Sequence, residues 1–235
     1  MARITWYGHA AFKVELADRT LFLDPMLDQN PTSPVKSSDI AEVDAVYVTH
    51  DHSDHLGDAF AICKRTGALF AAVYELAEYA AQNGVPNIAR LNVGGSISID
   101  GVKLTVVQAI HSASRGVPTG VVIEGEGVTV YHAGDTALFG DMRRLGERYR
   151  IDLACIPIGG NYTMDAEEAV EAVALLRPRM VFPMHFGTFP VLARSATEFA
   201  GRVKARMPNV RVLALKPGET YDLGSQSVSV SVQGL

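Results

Sequence analysis

The stretch Thr49–His55, with the sequence THDHSDH, carries three imidazoles and two carboxylates within seven positions. It directly follows the apolar run Val43–Val48, whose length and composition are typical of a buried strand. Imidazole and carboxylate groups are the donors of zinc and of the harder divalent metals. Polar turns are instead built mainly from Gly, Asn, Ser and Pro. This stretch, the histidine loop, is therefore predicted to bind metal.

The composition is that of a globular enzyme. The chain has 235 residues, of which 48% are hydrophobic, and a formal charge of −5. No apolar run approaches the ~18 residues that a membrane span needs, and Met1–Val14 lacks the pattern of a signal peptide. No linker divides residues 1–235, so a single domain is expected.

These properties also restrict the partners. We expect a cytoplasmic protein with a small-molecule substrate and no membrane partner. Nucleic acid is disfavoured as a partner because the chain is compact and acidic. A homo-oligomer is compatible with the sequence.

Three further potential ligands follow apolar runs later in the chain. Each stands at the carboxyl end of its run, where sheet proteins of the α/β class place their sites. This repeated placement is stronger evidence than any single residue. The runs and residues are Leu104–Ile110 with His111, Val128–His132 with Asp135, and Met180–Met184 with His185.

The pattern of elements predicts an αββα sandwich, with strands inside and helices outside in both halves of the chain. The Pro- and Ser-rich segment Asp28–Ser38 is predicted to be a loop over the metal site, as part of a lid. The alternating segment Ser227–Val232 is predicted to be an edge or closing strand. Helices are predicted from Asp54 or Gly57-Asp58 to Thr66, and over Tyr74–Asn83, Leu138–Glu147, Thr163–Leu176 and Ala196–Met207. The other predicted strands are Ile4–Tyr7, Ala11–Glu15, Thr20–Leu23, Ala68–Val73, Ser96–Ile99, Lys103–Ile110, Gly120–Glu124, Thr129–His132, Leu153–Ile158, Met180–Met184 and Arg211–Leu215.

The metal-ligand pattern resembles the signature of the metallo-β-lactamase superfamily. In that family a His-x-His-x-Asp-His loop is followed by a histidine, an aspartate and a final histidine, each at the end of a strand. The resemblance spans the chain and implies a four-layer αββα sandwich with a metal-dependent enzyme activity. The matching residues are His50, His52, Asp54 and His55 in the loop, then His111, Asp135 and His185.

Two other motifs are similar to a narrower branch of this family. Gly8-His9-Ala10, Leu23-Asp24-Pro25 and the compact length resemble the small UlaG-like, UPF0173-type hydrolases, which are similar to an ascorbate-6-phosphate lactonase but shorter. The resemblance implies that Asp24 orients the histidine loop, with a plain turn residue as the alternative. His9 either assists catalysis as a proton donor or is a hydrogen-bonded structural residue. His132 is expected to be structural.

The resemblance also implies how the ligands divide between two divalent metal ions. Asp135 would bridge both ions, and the metal spacing skips Asp51. A hydroxide between the ions would be the nucleophile, so that Asp54, Asp135 and His9 are the predicted catalytic residues. Zinc is expected first, with manganese, iron or nickel as alternatives. The first ion would take His50, His52 and His111, and the second Asp54, His55 and His185.

Three residues are candidates for substrate binding. Gly159-Gly160-Asn161 follows a strand and is predicted to open a helix, whose amides could receive an anion; a tight connection is the alternative. Arg115 lies four residues after His111, and Thr188 lies three after His185. Both could face substrate, although a solvated loop arginine is the alternative for Arg115.

Three functional classes compete. A binuclear hydrolase that cleaves a small, anionic ester, lactone or phosphoester needs every ligand found here. A diiron or persulfide-type redox enzyme on the same scaffold usually replaces a histidine of the second ion or carries a fused electron-transfer domain. A non-catalytic metal-binding sensor normally lacks some ligands. The complete set therefore favours the hydrolase.

Overall fold

The computed structural model describes residues 2–224, which form two seven-stranded sheets. The first sheet contains β1 (Arg3–Trp6), β2 (Phe12–Leu16), β3 (Arg19–Leu23), β4 (Ala45–Tyr47), β5 (Leu69–Val73) and β6 (Ile88–Leu91). The second contains β7 (Ser96–Ile99), β8 (Val102–Gln108), β9 (Thr119–Gly125), β10 (Val128–His132), β11 (Leu153–Pro157), β12 (Met180–Met184) and β13 (Arg211–Val212). A last strand, β14 (Thr220–Asp222), returns to the first sheet and pairs with β1.

Helices cover the outer face of each sheet. The helices are α1 (Ser53–Leu56), α2 (Ala59–Thr66), α3 (Tyr74–Gln82), α4 (Met142–Arg148), α5 (Ala166–Leu176) and α6 (Thr197–Arg206), with a short 3-10 helix at Ser37–Asp39. Helices α2 and α3 contact the first sheet, while α5 and α6 contact the second and α4 packs on α5. The four layers confirm the predicted αββα sandwich.

Each sheet is antiparallel on one side and parallel on the other. The first has the order β14-β1-β2-β3-β4-β5-β6 and is parallel from β3 to β6. The second has the order β13-β12-β11-β10-β9-β8-β7 and is parallel from β10 to β13. Parallel strands bring their carboxyl ends to one edge of a sheet, which is where α/β proteins form their sites.

The burial of the strands follows from their position between layers. In β2, Phe12, Val14 and Leu16 are buried, whereas the residues between them are partly exposed, so only one face meets the core. In β11 and β12 every residue is buried, because the other sheet covers one face and helices cover the other. The largest cluster of buried side chains accordingly contains residues of both sheets and of the helices over the second.

Several element boundaries differ from the predictions. The edge strands β6 and β14 were not predicted, and β13 is shorter than the predicted Arg211–Leu215. Helix α4 begins four residues after the predicted Leu138, and α5 begins at Ala166 rather than Thr163. The predicted closing strand Ser227–Val232 lies outside the described residues.

The predicted lid segment packs against the turn before His9. The Asn30 side-chain amide donates to the carbonyl of Tyr7 at 3.2 Å, and Asn30 is buried. Gly8 has a φ of +96°, which other residues rarely adopt, and an added Cβ atom would also meet the Thr32 hydroxyl, so glycine is favoured in this turn.

Within residues 2–224, no helix is long and apolar enough to cross a membrane.

Candidate metal centre

The ends of the two sheets are joined by hydrogen bonds at the predicted site. The backbone amide and the hydroxyl of Thr119, at the start of β9, both donate to the carbonyl of Thr49, at 3.1 and 2.9 Å. The amide of His185 donates to the carbonyl of His9 at 3.2 Å. These bonds fix the loops that follow β4, β12 and β1 relative to one another.

The histidine loop leads into the short helix α1, which contains Asp54 and His55. It ends at Gly57, where φ is +42° and an added Cβ atom would lie 2.6 Å from both the Met26 Cα and the Pro25 carbonyl oxygen. Only glycine fits so close to this backbone. The sequence predicted a helix start at Asp54 or at Gly57-Asp58, and the structure has two helices, α1 and α2, separated by this turn.

Asp24 forms hydrogen bonds with two residues of the histidine loop. Its carboxylate accepts hydrogen bonds from the amide and the hydroxyl of Thr49, each at 2.8 Å, and from Nδ1 of His55 at 2.7 Å. Because a carboxylate can only accept, the Nδ1 atom of His55 carries the proton and its Nε2 atom is turned toward the site. Asp24 is fully buried. It therefore lies where the predicted orienting role requires it.

His50, His52 and His111 form the first group of potential ligands, with ligand atoms within 4.8 Å of one another. Nε2 of His50 lies 3.0 Å from Nδ1 of His52. Burial, reinforced by the charge of His55, lowers the pKa of His50 to about 2. Burial also lowers the pKa of His111. The structure thus brings together the three residues predicted for the first ion.

Asp54, His55 and His185 form a second group, in which ligand atoms again lie within 4.8 Å. Burial disfavours charge on both histidines, but the neighbouring carboxylates together outweigh it and raise the pKa of each, with Asp135 as the largest contributor. The pKa of Asp54 is lowered despite its burial, because His185 and His9 contact its carboxylate. These residues match the set predicted for the second ion.

Asp135 lies between the two groups. Its carboxylate oxygens stand 3.2 Å from Nε2 of His55, 3.0 Å from Nε2 of His185 and 3.6 Å from Nε2 of His111. Burial opposes its charge, but His55 and His185 hold its pKa well below the usual range. Asp135 therefore contacts histidines of both groups, which is the position expected of a bridging ligand.

The chemistry of these atoms fits a bound metal. Nε2 of His55, Oδ1 of Asp135 and both ring nitrogens of His185 are buried without a well-directed hydrogen bond. Buried polar atoms are normally satisfied, and leaving one unsatisfied costs about 1–3 kcal/mol. A divalent cation among these nitrogen and oxygen donors would satisfy the inward-facing atoms.

His9 reaches the second group from the β1–β2 turn. It is fully buried, and its Nε2 and Nδ1 atoms lie 3.1 Å from Asp54 Oδ2 and 3.0 Å from the Thr188 hydroxyl. Its Nε2 atom falls within the 4.8 Å grouping of Asp54, His55 and His185. His9 is thus also a potential ligand, a role that the sequence did not indicate because Gly8-His9-Ala10 lies far from the histidine loop in the chain.

Both ring nitrogens of His132 form hydrogen bonds with backbone groups. It is fully buried, the amide of Gly134 donates to its Nδ1 at 3.2 Å, and its Nε2 donates to the carbonyl of Ala10 at 3.1 Å. Both ring nitrogens therefore have backbone partners, as the predicted structural role requires.

Arg115 has a partner within the protein. Its guanidinium lies 2.9 Å from Oδ2 of Asp51 and 3.7 Å above the ring centre of Tyr79, and the amide of Ser114 donates to the same carboxylate. Arg115 thus links the loop after His111 to the histidine loop. It does not present the free cation that the sequence suggested for substrate.

The predicted anion site after β11 is not formed as expected. Helix α5 begins at Ala166, and the Asp165 carboxylate accepts from the amides of Glu167 and Glu168. The amide of Gly160 donates to the carbonyl of Met164 at 3.0 Å. These amides are therefore already occupied. Asn161 is exposed in this loop, and its predicted contact with substrate stays a prediction.

A two-sheet sandwich with histidines and aspartates gathered at the strand ends defines a metal-dependent enzyme of the β-lactamase type, and comparison with known proteins agrees. Residues 19–186 match the family described as the beta-lactamase superfamily domain. A "UPF0173 metal-dependent hydrolase" of Thermofilum pendens is 49% identical over 93% of this chain and 98% of its own. A second, from Methanopyrus kandleri, is 45% identical over 94% and 99%.

A solved structure gives the same result. Igni18, described as a novel metallo hydrolase from Ignicoccus hospitalis, has a TM-score of 0.88 and 39% identity, covering 94% of this chain and 97% of its own. The chain therefore belongs to the metallo-β-lactamase superfamily and, within it, to the UPF0173 family of metal-dependent hydrolases.

Proposed function

We propose that the protein holds two divalent metal ions and hydrolyses a small, anionic ester, lactone or phosphoester. The observation that carries this proposal is the position of Asp135, which contacts histidines of both ligand groups within 3.6 Å. A carboxylate in such a position can donate one oxygen to each of two cations held ~3.5–4 Å apart.

The side chains would divide the binding between two sites. His50, His52 and His111 would hold one ion, Asp54, His55 and His185 the other, and Asp135 both. Bound cations would make hydroxide available from water at neutral pH and would polarise the carbonyl or phosphoryl oxygen of the substrate. Zinc is the first expectation for this nitrogen-rich set, with manganese, iron or nickel as alternatives.

The surrounding residues orient the ligands. The Thr49 hydroxyl donates to Asp24, so it can only accept from Nδ1 of His50, 3.0 Å away. The protons on Nδ1 of His50 and of His55 are thereby held away from the site, and both Nε2 lone pairs face it. No serine or cysteine nucleophile is needed in this scheme.

His9 would act on protons rather than on the substrate skeleton. Burial lowers its pKa to about 4, although Asp54 opposes the shift. His9 is therefore neutral at pH 7, so it is not charged as the proton donor that the sequence offered beside a structural role; it can accept a proton, but as a weak base.

Metal reconstitution tests this function. The purified protein would be loaded separately with zinc, manganese, iron and nickel, its metal content measured by elemental analysis, and a panel of lactones, phosphomonoesters and phosphodiesters assayed. We expect two ions per chain and metal-dependent hydrolysis, with Asp135→Ala as the inactive control.

Three outcomes would overturn the proposal. A limit of one ion per chain, with Asp54 or His185 free of metal, would remove the binuclear site. Oxygen consumption coupled to thiol or flavin oxidation, without hydrolysis anywhere in the panel, would favour the redox alternative. Metal binding with neither activity would favour the sensor.

A further inference from the structure

We propose that Arg194 binds the anionic group of the substrate in a pocket next to the metal centre. The pocket is a cavity of about 340 Å³ formed by the loop after β12, and it is lined by Gly187, Thr188, Phe189, Pro190 and Arg194. Its volume is within the range of small-molecule sites, about 300–1,000 Å³. The inference rests on the proposed hydrolysis and names the group that would select its substrate.

The pocket shares a wall with the ligand cluster. The Thr188 hydroxyl lies 3.0 Å from Nδ1 of His9, and the Phe189 ring centre lies 5.3 Å from that of His9. The opposite ring nitrogen of His9 lies 3.1 Å from Asp54. The pocket therefore lies one imidazole away from a predicted metal ligand.

The residue before Arg194 is held in the loop through its backbone, while the Arg194 side chain is exposed. The amide of Gly187 donates to the carbonyl of Ala193 at 2.8 Å, and the amide of Ala193 donates to the carbonyl of Gly159 at 2.9 Å. These bonds close the loop at Arg194. Among residues 2–224, the Arg194 side chain has no hydrogen-bond or ion-pair partner, whereas Arg115 is committed to Asp51.

The chemistry of the lining identifies the ligand as a carboxylate or a phosphate on a short carbon skeleton. A guanidinium presents a planar set of donors that binds two oxygens of such a group at once. Phe189 and Pro190 supply apolar surface for the carbon atoms beside it. The metal ions would then bind the substrate at the scissile bond, and Arg194 would bind its anionic group at the other end.

Paired esters test this assignment. Metal-loaded protein would be assayed with 4-nitrophenyl hemisuccinate, which has a free carboxylate, and with the neutral 4-nitrophenyl butyrate. A general loss of activity in a variant lowers both kcat/KM values, so their ratio reports only on recognition of the charge. For Arg194→Ala we expect this ratio to fall about 10- to 100-fold, as for loss of a charge-assisted hydrogen bond. Arg194→Lys should lose less, because it keeps the charge but not the planar donors.

Arg206→Ala is the matched control, because Arg206 is an exposed arginine at the end of α6, outside the pocket. It should leave the ratio unchanged. An active wild-type protein whose ratio changes less than twofold in Arg194→Ala would overturn the pocket assignment and leave the proposed hydrolysis standing.

Binding to metal-free protein separates failure of the two proposals. If the wild-type protein hydrolyses neither of these two esters, the panel of lactones and phosphoesters still decides the proposed hydrolysis. Titration with succinate and with inorganic phosphate, followed by NMR, then tests the pocket alone. Weaker binding by Arg194→Ala than by Arg206→Ala would support the assignment, and the anion more affected identifies the group. Equal binding by both variants, or no binding to the wild-type protein, would overturn it.

Discussion

The two halves of the metal centre differ in how they hold protons. In the half made of His50, His52 and His111, burial lowers the pKa of His50 to about 2 and also lowers that of His111. In the other half, carboxylates overcome burial and raise the pKa of His55 and of His185. His50 and His111 are therefore neutral at pH 7 in the absence of metal, whereas His55 and His185 keep their protons to higher pH than a free imidazole does.

This difference follows from where the acids lie. Asp24 and Asp135 contact His55, and Asp54 and Asp135 contact His185, but within residues 2–224 no acid lies as close to His50. A cation entering the second half competes with the protons on His55 and His185, whereas His50 and His111 carry none to displace near pH 7. The two predicted metal sites therefore differ in the free energy of binding a metal ion, because only the second releases the protons of His55 and His185.

The largest effect is expected from removing the residue that joins the halves. Asp135→Ala should lower kcat by about 1,000-fold or more, as for loss of a central catalytic group, because it disturbs both ion sites. His9→Ala should cost about 10- to 100-fold, as for a residue that assists a ligand. Steady-state kinetics with metal content measured in parallel checks this order. Equal turnover in the two variants at full metal content would contradict it.

A smaller effect is expected from weakening one half only. Asp24→Asn removes the charge that holds the His55 proton but keeps the shape of the side chain. We expect zinc affinity of the second half to fall about 10- to 100-fold, as for loss of a partner of a ligating histidine. Isothermal titration calorimetry would measure the zinc affinity of each half, and that of the first half should change much less. Equal losses in both halves would show that Asp24 supports the whole loop instead.

The pH dependence of zinc binding should separate the halves directly. His52→Ala would isolate the second half, and His185→Ala the first. Because the pKa values of His55 and His185 are raised, their protons compete with zinc, and affinity should increase as pH rises between about 6 and 8. The first half should show a weaker dependence, since His50 and His111 are already neutral. Equal slopes in a chelator-competition assay would contradict the assigned proton positions.

The smallest effect is expected from breaking the contact between Arg115 and Asp51, which links the two loops. Arg115→Ala breaks the contact with Asp51 but leaves every potential ligand in place. The guanidinium side chain is 40% exposed, so we expect a loss of stability of about 1 kcal/mol or less and only a few-fold change in kcat/KM. Thermal unfolding and kinetics check this. A selective loss of more than about 10-fold against anionic esters would restore the substrate contact suggested by the sequence.

The potential ligands other than His9 could be predicted because each follows a strand that is visible in the sequence. An apolar run such as Met180–Met184 is local, and its carboxyl end fixes where His185 must lie. The fold class followed from the same runs. The motif order then supplied the family, and the relatives confirm it.

The remaining features depend on contacts between distant segments. Asp51 and Arg115 are 64 residues apart, and nothing local to either indicates the pair. The strand β6, with the sequence IARL, has an exposed arginine and little alternation, so its pairing with β5 decides its conformation. For α5 the sequence offered a threonine or an aspartate as the capping residue; the structure has the cap at Asp165, so the helix begins at Ala166 rather than Thr163.

The return of the chain at β14 sets an order of assembly. β1 lies between β2 and β14, and Ile4 pairs with Tyr221, a partner more than two hundred residues away in sequence. During synthesis on the ribosome, the first sheet can form only with one side of β1 exposed until residues 220–222 emerge. Such long-range pairing slows folding and leaves an open strand edge on the nascent chain. The first sheet, which carries the histidine loop, is therefore among the last parts of the molecule to be completed.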